Sequence, residues 1–338
     1  MSPIEYYLVT IAIYACINGI FALGFNMQFG VSGIINLAFI ILVAVGAYAT
    51  AIASIGPAPG TSTSSYIGGF NWGFPWNVLF GVGCTLVFAL VLGAIALRRL
   101  RHDYLALTLV AIGQGLLVFV SGEQKLFNGY TGLSGIPMPL QDTLSPSDTQ
   151  VAFLGISAFC LAVVFLVFWR VNLSPLGRAL RTVRENETAA LALGKNAWRL
   201  KMVGFLLGAG AAGLGGSLTV IYVGGWNTAG WQFVETLALL AAVIVGGRGR
   251  NLGALVGSVI VLEGILEATR FLPQGLGVRL DLLPEFQLIA VGLLIIAFLW
   301  FRPQGVLPER KEKFAARNAG LRQNVSQPTP PPVLGAER

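Results

Sequence analysis

The chain has 338 residues, of which 55% are hydrophobic and only 11% charged, with 43 glycines and a net charge of +7. Soluble domains carry about 25% charged residues, so a fully water-solvated surface is excluded. Residues 1–97 hold a single charged side chain, Glu5, and a segment that poor in ions is expected to lie in a membrane. Cys16, Cys84 and Cys160 each sit inside an apolar run and read as packed thiols rather than a disulfide framework. His102 is the one histidine, which excludes a His-rich metal site and weakens any His-based catalysis, so an intramembrane enzyme is disfavoured. The basic residues flank hydrophobic stretches, a pattern of membrane orientation rather than nucleic-acid binding.

A bilayer core needs about 20 apolar residues per helix. In chain order the stretches 6–25, 33–55, 76–97, 104–120, 150–169, 202–222, 232–247, 251–272 and 285–301 qualify. The fold class predicted is an all-α polytopic membrane bundle of about nine spans, with a range of eight to ten. The 232–247 stretch is short, and is expected to be tilted, broken or re-entrant.

Arg98, Arg99 and Arg101 follow the third stretch, and Arg248 and Arg250 the seventh. Arg170, Arg178, Arg181, Arg184, Lys195, Arg199 and Lys201 fill the connection after the fifth. The alternate connections are nearly free of Lys and Arg, which places the N-terminus outside and the C-terminus in the cytoplasm. Trp72, Trp76, Trp226 and Trp231 fall at outer edges of the stretches, and Trp169, Trp198 and Trp300 at inner ones, as interfacial indoles prefer. Residues 1–301 form the transmembrane domain in this reading. Residues 302–338 turn basic and then Pro-rich, too apolar-poor for a core, and are expected to be a disordered cytoplasmic tail.

The long basic connection carries the strongest local pattern. Ser174 followed by Pro175 is a helix start, and Leu176, Leu180, Val183, Glu187 and Leu191 mark one helical face. Gly194 suits a left-handed C-terminal residue, and Asn196 can cap the next helix. A single extramembrane helix over 175–194 is predicted. Two roles fit it: a connector lying on anionic lipid, or a docking helix for a cytoplasmic partner.

This run, PLGRALRTVRENETAALALG, resembles the permease subunits of ATP-binding-cassette importers for branched-chain amino acids. Those permeases carry a cytoplasmic EAA loop, a short helix and glycine that seat in a groove of the ATPase. The matching residues are Thr188, Ala189, Ala190 and Gly194, with Glu187 one place before the usual acidic position. The resemblance extends through GVSGIINLAFIILVAVGAY (30–48), LRRLRHDYLALTL (97–109), NGYTGLSGIP (128–137), VIVGGRGRNLGALVGS (243–258) and FRPQGVL (301–307). Where many members have a Gly-His or His-Gly pair, this chain has Ala38, Phe39 and Ile40. The resemblance implies an alternating-access permease of a bacterial or archaeal plasma (inner) membrane. It implies a second homologous permease, two cytoplasmic ATP-binding subunits and an extracytoplasmic solute-binding protein as partners. Coupling to the ATPases would run through Arg184, Glu185, Glu187, Thr188, Ala189, Ala190 and Gly194. No G-x-x-x-x-G-K-[ST] loop occurs, so ATP and Mg are expected on the partners, with no cofactor in this chain. A urea or short-amide permease of the same superfamily and an ATP-independent secondary transporter are the competing readings.

Gly208, Gly210 and Gly213 match a dinucleotide fingerprint but lie inside an apolar stretch without a preceding strand. They read instead as small residues for close helix packing, with Gly204–Gly208 and Ala212–Gly216 at four-residue spacing. Gly30–Gly33 and Gly246–Gly247 are candidate points of helix unwinding. Glu263 falls mid-stretch, with Glu267 and Arg270 on the same face. Asn18, Asn26, Gln28, Asn36 and Gln114 are neutral polar residues within other stretches and read as interhelical hydrogen-bond groups. Asn36, Gln114 and Glu263 are the candidate pathway residues.

Overall fold

A computed structural model describes residues 2–57, 66–99, 102–265, 283–302 and 304–308. Most of the expected 302–338 tail, together with Glu267 and Arg270, lies outside these residues. Helix α1 (Pro3–Asn26) starts with a reciprocal cap between Ser2 and Glu5, and runs into a π-helical turn at Met27–Val31. The chain then travels without regular structure to α2 (Phe39–Ser54). Next come α3 (Trp76–Arg99), α4 (His102–Gly122), the short α5 (Gln124–Phe127) and α6 (Pro146–Leu173). The basic connection forms α7 (Pro175–Glu185) and α8 (Glu187–Ala192), and α9 (Ala197–Val223) follows. The last elements are α10 (Phe233–Gly246), α11 (Asn251–Ser258) with a π-helical continuation Val259–Ile265, and α12 (Leu283–Phe301).

Among the described residues five helices are long and apolar enough to cross a membrane, the ones beginning at Pro3, Trp76, Tyr104, Pro146 and Ala197. Phe39–Ser54, Phe233–Gly246, Asn251–Gly264 and Ile289–Phe298 are shorter apolar helices. The predicted 33–55 stretch differs in one respect: helix begins only at Phe39, and residues 32–38 are irregular although largely buried. Irregular backbone is tolerated at such depth where protein, not lipid, surrounds it.

The centre of the bundle is α2 against α9 and α3, with α1 between α6 and α9. Small residues permit the approach. A Cβ on Gly46 would stand 2.7 Å from the Gly213 Cα, so only hydrogen fits between α2 and α9 there. The Thr50 hydroxyl donates to the Ser217 hydroxyl at 2.7 Å across the same interface. Phe25, Phe39, Phe153 and Phe205 fill the surrounding core without exposure.

The two ends of the bundle differ. At one end β1 (Leu133–Ser134) pairs antiparallel with β2 (Gly225–Trp226), Leu133 opposite Trp226. Phe70, Trp72 and Phe80 cluster there, and Tyr48 contacts Phe127 and Trp231. The other end carries α7, α8 and the 247–250 turn, and holds Arg178, Arg184, Lys201, Arg248 and Arg250.

Candidate functional site

The basic end is built from four chain segments far apart in sequence. The Ser174 hydroxyl accepts from the Gly177 N–H and Pro175 opens α7, as the capping pattern requires. The single helix expected over 175–194 is instead two. Asn186 leaves the helical region (φ −154°, ψ 101°), and its Oδ1 accepts from the Ala189 N–H at 2.9 Å to start α8. A short amide side chain offers the backbone an alternative to the i−4 carbonyl, which is why the helix restarts at asparagine. The apolar stripe breaks with it: Leu180 and Val183 are buried, whereas Leu191 is 55% exposed.

Gly194 closes α8 as expected, with φ at +73° and its N–H donating to the Leu191 carbonyl at 2.9 Å. The Asn196 Oδ1 then accepts from the Arg199 N–H at 3.1 Å and opens α9. Of the expected coupling residues, Glu185, Thr188, Ala189 and Gly194 are exposed. Ala190 is not: it is fully buried against Val183 and Ala197, and so anchors α8 rather than presenting it. Leu193, absent from the sequence-based set, is 73% exposed beside Leu191 and forms the apolar tip of this corner.

Charged contacts tie the corner to the bundle. Lys201 Nζ on α9 lies 2.7 Å from Glu187 Oε2, with the lysine side chain only 11% exposed. Arg184 reaches in the other direction, its Nη1 donating to the Gly30 carbonyl within the π-turn, while Nη2 lies 3.5 Å from Glu185. Gly33, at φ +71°, lies directly beneath Arg184, and a Cβ there would come within 2.7 Å of the arginine Cγ.

The neighbouring segments close around the same point. Asn26 Oδ1 accepts from the Gly249 N–H at 2.8 Å, fastening the end of α1 to the 246–250 turn. Val306 and Leu307 donate backbone N–H groups to Val245 and Gly246 at 2.8 and 3.0 Å. Asn172 Nδ2 donates to Asn251 Oδ1 at 2.8 Å, joining α6 to α11. The segments GVSG and VGGRGRN, which are separate in sequence, therefore meet near Arg184, and Val306 and Leu307 of FRPQGVL pair with the second of them. Asn26 and the Glu187–Lys201 pair were not distinguished by spacing, since their partners lie 223 and 14 residues away.

The three candidate pathway residues separate. Asn36 is buried and fully engaged, its Nδ2 donating to Gln28 Oε1 at 3.0 Å and its Oδ1 accepting from the Ala38 N–H at 3.1 Å. Gln28 in turn donates to the Phe205 carbonyl at 2.9 Å, so Asn36 holds the irregular 32–38 segment in place. Gln114 is exposed on α4 and borders a recess of about 10 Å³. Glu263 lies in the π-helical stretch after α11 and accepts from Asn18 Nδ2 at 2.7 Å. Asn18 also lines a cavity of about 210 Å³ with Tyr14, Thr219, Trp226 and Glu235. Glu235, an acidic residue in the short 232–247 stretch, is the residue that the sequence reading passed over. An acid in an apolar run was the available signal.

Residues 7–299 match the family model for the branched-chain amino acid transport system permease component. The chain is 28% identical to the high-affinity branched-chain amino acid transport system permease protein LivM of Escherichia coli K12, over 93% of this chain and 73% of that one. It is 26% identical to the probable branched-chain amino acid transport permease protein LivM of Methanocaldococcus jannaschii, over 86% and 90%. It is 25% identical to the autoinducer 2 import system permease protein LsrC of Salmonella paratyphi B, over 55% and 57%. No solved structure matches the chain. With the match covering nearly the whole helical body, the chain belongs to the family of branched-chain amino acid transport system permease components.

Proposed function

We propose that the chain is the transmembrane permease subunit of an ATP-driven importer for branched-chain or related small polar amino acids. It acts in the plasma (inner) membrane of a bacterium or archaeon, with the N-terminus outside and the basic end in the cytoplasm. A second, homologous permease completes the passage, and a solute-binding protein delivers substrate at the aromatic end. Two ATP-binding subunits hold ATP and Mg and dock at the basic end.

The observation that supports this reading best is the α8 corner. Leu191 on a short helix and Leu193 at its C-cap are exposed, and the helix's inner side is clamped by buried Ala190 and by the Glu187–Lys201 pair. An apolar tip on a rigid mount suits a partner's groove better than it suits water. Movement of α8 would pass through Lys201 to α9 and through Arg184 to the Gly30–Gly33 segment. From there Asn26 links α1 to the 246–250 turn. Alternating access is then a switch between two packings of these helices, biased by ATP-driven closure of the docked subunits.

The test is reconstitution in proteoliposomes with a second permease, two ATP-binding subunits and the binding protein. ATP-dependent uptake of L-leucine is expected, and uptake by this chain alone on an ion gradient would sink the reading. The likeness to an autoinducer 2 import permease supports a second substrate reading, a small polar solute other than an amino acid. The ligand carried by the cognate binding protein separates the two.

A further inference from the structure

We infer that the second permease packs against the face formed by α4 and the irregular segment before α2, and that a polar group of that permease takes the Gln114 amide. The inference rests on the import reading above, which calls for two permeases, and names the surface of this chain where they join.

Helix α4 runs from His102 to Gly122, and Gln114 lies just past its midpoint. Its side chain is exposed and makes no hydrogen bond among the described residues. A primary amide facing acyl chains leaves its N–H donors and its carbonyl unsatisfied, and membrane helices bury such groups against one another. The rest of that face is shaped for a helix. Leu107, Ala111, Gly115 and Val118 follow one another at steps of four, four and three, and all are exposed. A Cβ on Gly115 would meet nothing within 4 Å, so the surface there is open. Small residues four apart, Ala111 and Gly115, let a second helix come close enough for the neighbouring amide to reach it.

The backbone beside Gln114 calls for the same cover. Leu37, Val110, Gln114 and Phe233 line one recess, which sets the irregular segment and the start of α10 against α4. The Ile40 N–H donates to Thr236 Oγ1 at 3.3 Å and fastens α10 there. At 1.5 Å per residue α2 is about 24 Å long. Its C-terminus lies at the aromatic end, where the Ile52 and Ala53 carbonyls accept from Phe70 and Trp72. A hydrocarbon core is about 30 Å thick, so the last irregular residues before Phe39 lie at hydrocarbon depth. Leu37 is only partly buried, and Ile35 is 37% exposed. Irregular backbone does not face lipid at that depth, so protein covers it. Elsewhere the surface suits lipid: no exposed side chain of α3 from Leu79 to Ile95, or of α6 from Val151 to Val167, carries a polar atom. The binding protein stays outside the membrane and the ATPases dock at the basic end, so neither reaches mid-span. Of the transporter's parts, the second permease does.

The experiment uses the complete transporter, purified through a tag on this chain. The photocrosslinking amino acid p-benzoylphenylalanine is placed at Val118 on α4, or at Phe159 on α6 as the lipid-facing control. Irradiation is expected to join this chain to the second permease from Val118 and not from Phe159, with the product identified by mass spectrometry. Gly115→Phe, whose added Cβ meets nothing in this chain, is expected to cut recovery of the second permease roughly tenfold while this chain stays monodisperse. Gln114→Leu is expected to lower that recovery several-fold and to leave the thermal midpoint of the isolated chain unchanged or raised, whereas an amide that served only this chain's own fold would lower it. Should Gly115→Phe fail to insert, the cross-link decides. A wild-type complex that contains no second permease overturns the import reading itself. If the second permease is recovered but cross-links from Phe159 and not from Val118, the import reading stands and the assignment of the face falls. A Val118 cross-link to another copy of this chain overturns the assigned occupant. Recovery within twofold of wild type for both Gly115→Phe and Gln114→Leu overturns the assignment as well.

Discussion

Asn18 Nδ2 donates to Glu263 Oε1 at 2.7 Å, a contact between the middle of α1 and the π-helical stretch that continues α11. Glu263 is thus held by an amide 245 residues away. Polar pairs of this kind between membrane helices contribute about 0.6–1.7 kcal/mol. Asn18→Leu is expected to lower stability by that order, read from the midpoint of unfolding in mixed micelles. Glu263→Gln keeps an acceptor for Asn18 and should retain most of the uptake, whereas Glu263→Lys sets donor against donor and should lose it. Equal transport by the Gln and Lys variants would show that Glu263 faces neither protein nor pathway.

The α8 corner separates anchoring from presentation, and two substitutions distinguish them. Ala190 is buried against Val183 and Ala197, so Ala190→Glu places an unpaired carboxylate in an apolar contact and should reduce folded yield. Leu193 is 73% exposed, so Leu193→Asp should leave folding intact. Its effect should appear only as loss of the co-purifying ATP-binding subunits, by roughly tenfold or more if the tip is a contact hot spot. Undiminished recovery of those subunits with Leu193→Asp would remove the docking role from this corner.

Much of this corner was legible beforehand, and the rest had physical reasons to be hidden. Ser174–Pro175, Gly194 and Asn196 act as the local stereochemistry of caps demands, and each was readable from its neighbours alone. The break at Asn186 was not, because Glu187 and Leu191 continue the helical spacing of Leu180 and Val183 while the backbone has already turned. Periodicity counts side chains and is blind to an asparagine that takes over a backbone N–H. The late start of α2 was legible in part, since Gly30 and Gly33 marked a candidate point of unwinding, but the extent of the irregular residues 32–38 was not. Asn36 holds them irregular through Gln28, a contact set by tertiary packing. The cavity beside Glu235 required the N-termini of α2 and α10 to be seen together, 196 residues apart at their hydrogen bond.

Gly30 and Gly33 give a prediction about the hinge near Arg184. At Gly33 the backbone is left-handed, with φ at +71°, and the arginine side chain covers the space a methyl group would need. Gly33→Ala combines the backbone penalty, about 1 kcal/mol, with displacement of Arg184 from the Gly30 carbonyl. The expected result is folded permease with weakened coupling, seen as basal ATP hydrolysis that no longer rises when loaded binding protein is added. Unchanged stimulation would mean that the Arg184–Gly30 contact does not carry the signal.

The Glu187–Lys201 pair offers the sharpest test of how motion leaves α8. Its lysine is largely buried and the carboxylate partly exposed, at 2.7 Å, so removing either partner leaves the other charge poorly compensated. Glu187→Gln removes this partner from the more buried charge, and Lys201→Met removes it from the more exposed one. Glu187→Gln is therefore expected to be the more damaging of the two. If the pair transmits force between α8 and α9, the double variant should couple no worse than the weaker single variant, because one link cannot be cut twice. Substrate-stimulated ATP hydrolysis across this cycle measures the link, with the complex's thermal midpoint as the control for folding. Additive losses in coupling with a non-additive loss in stability would reduce the pair to a structural clamp. The route to the bundle would then run through Arg184 and the packing of Ala190 on Ala197.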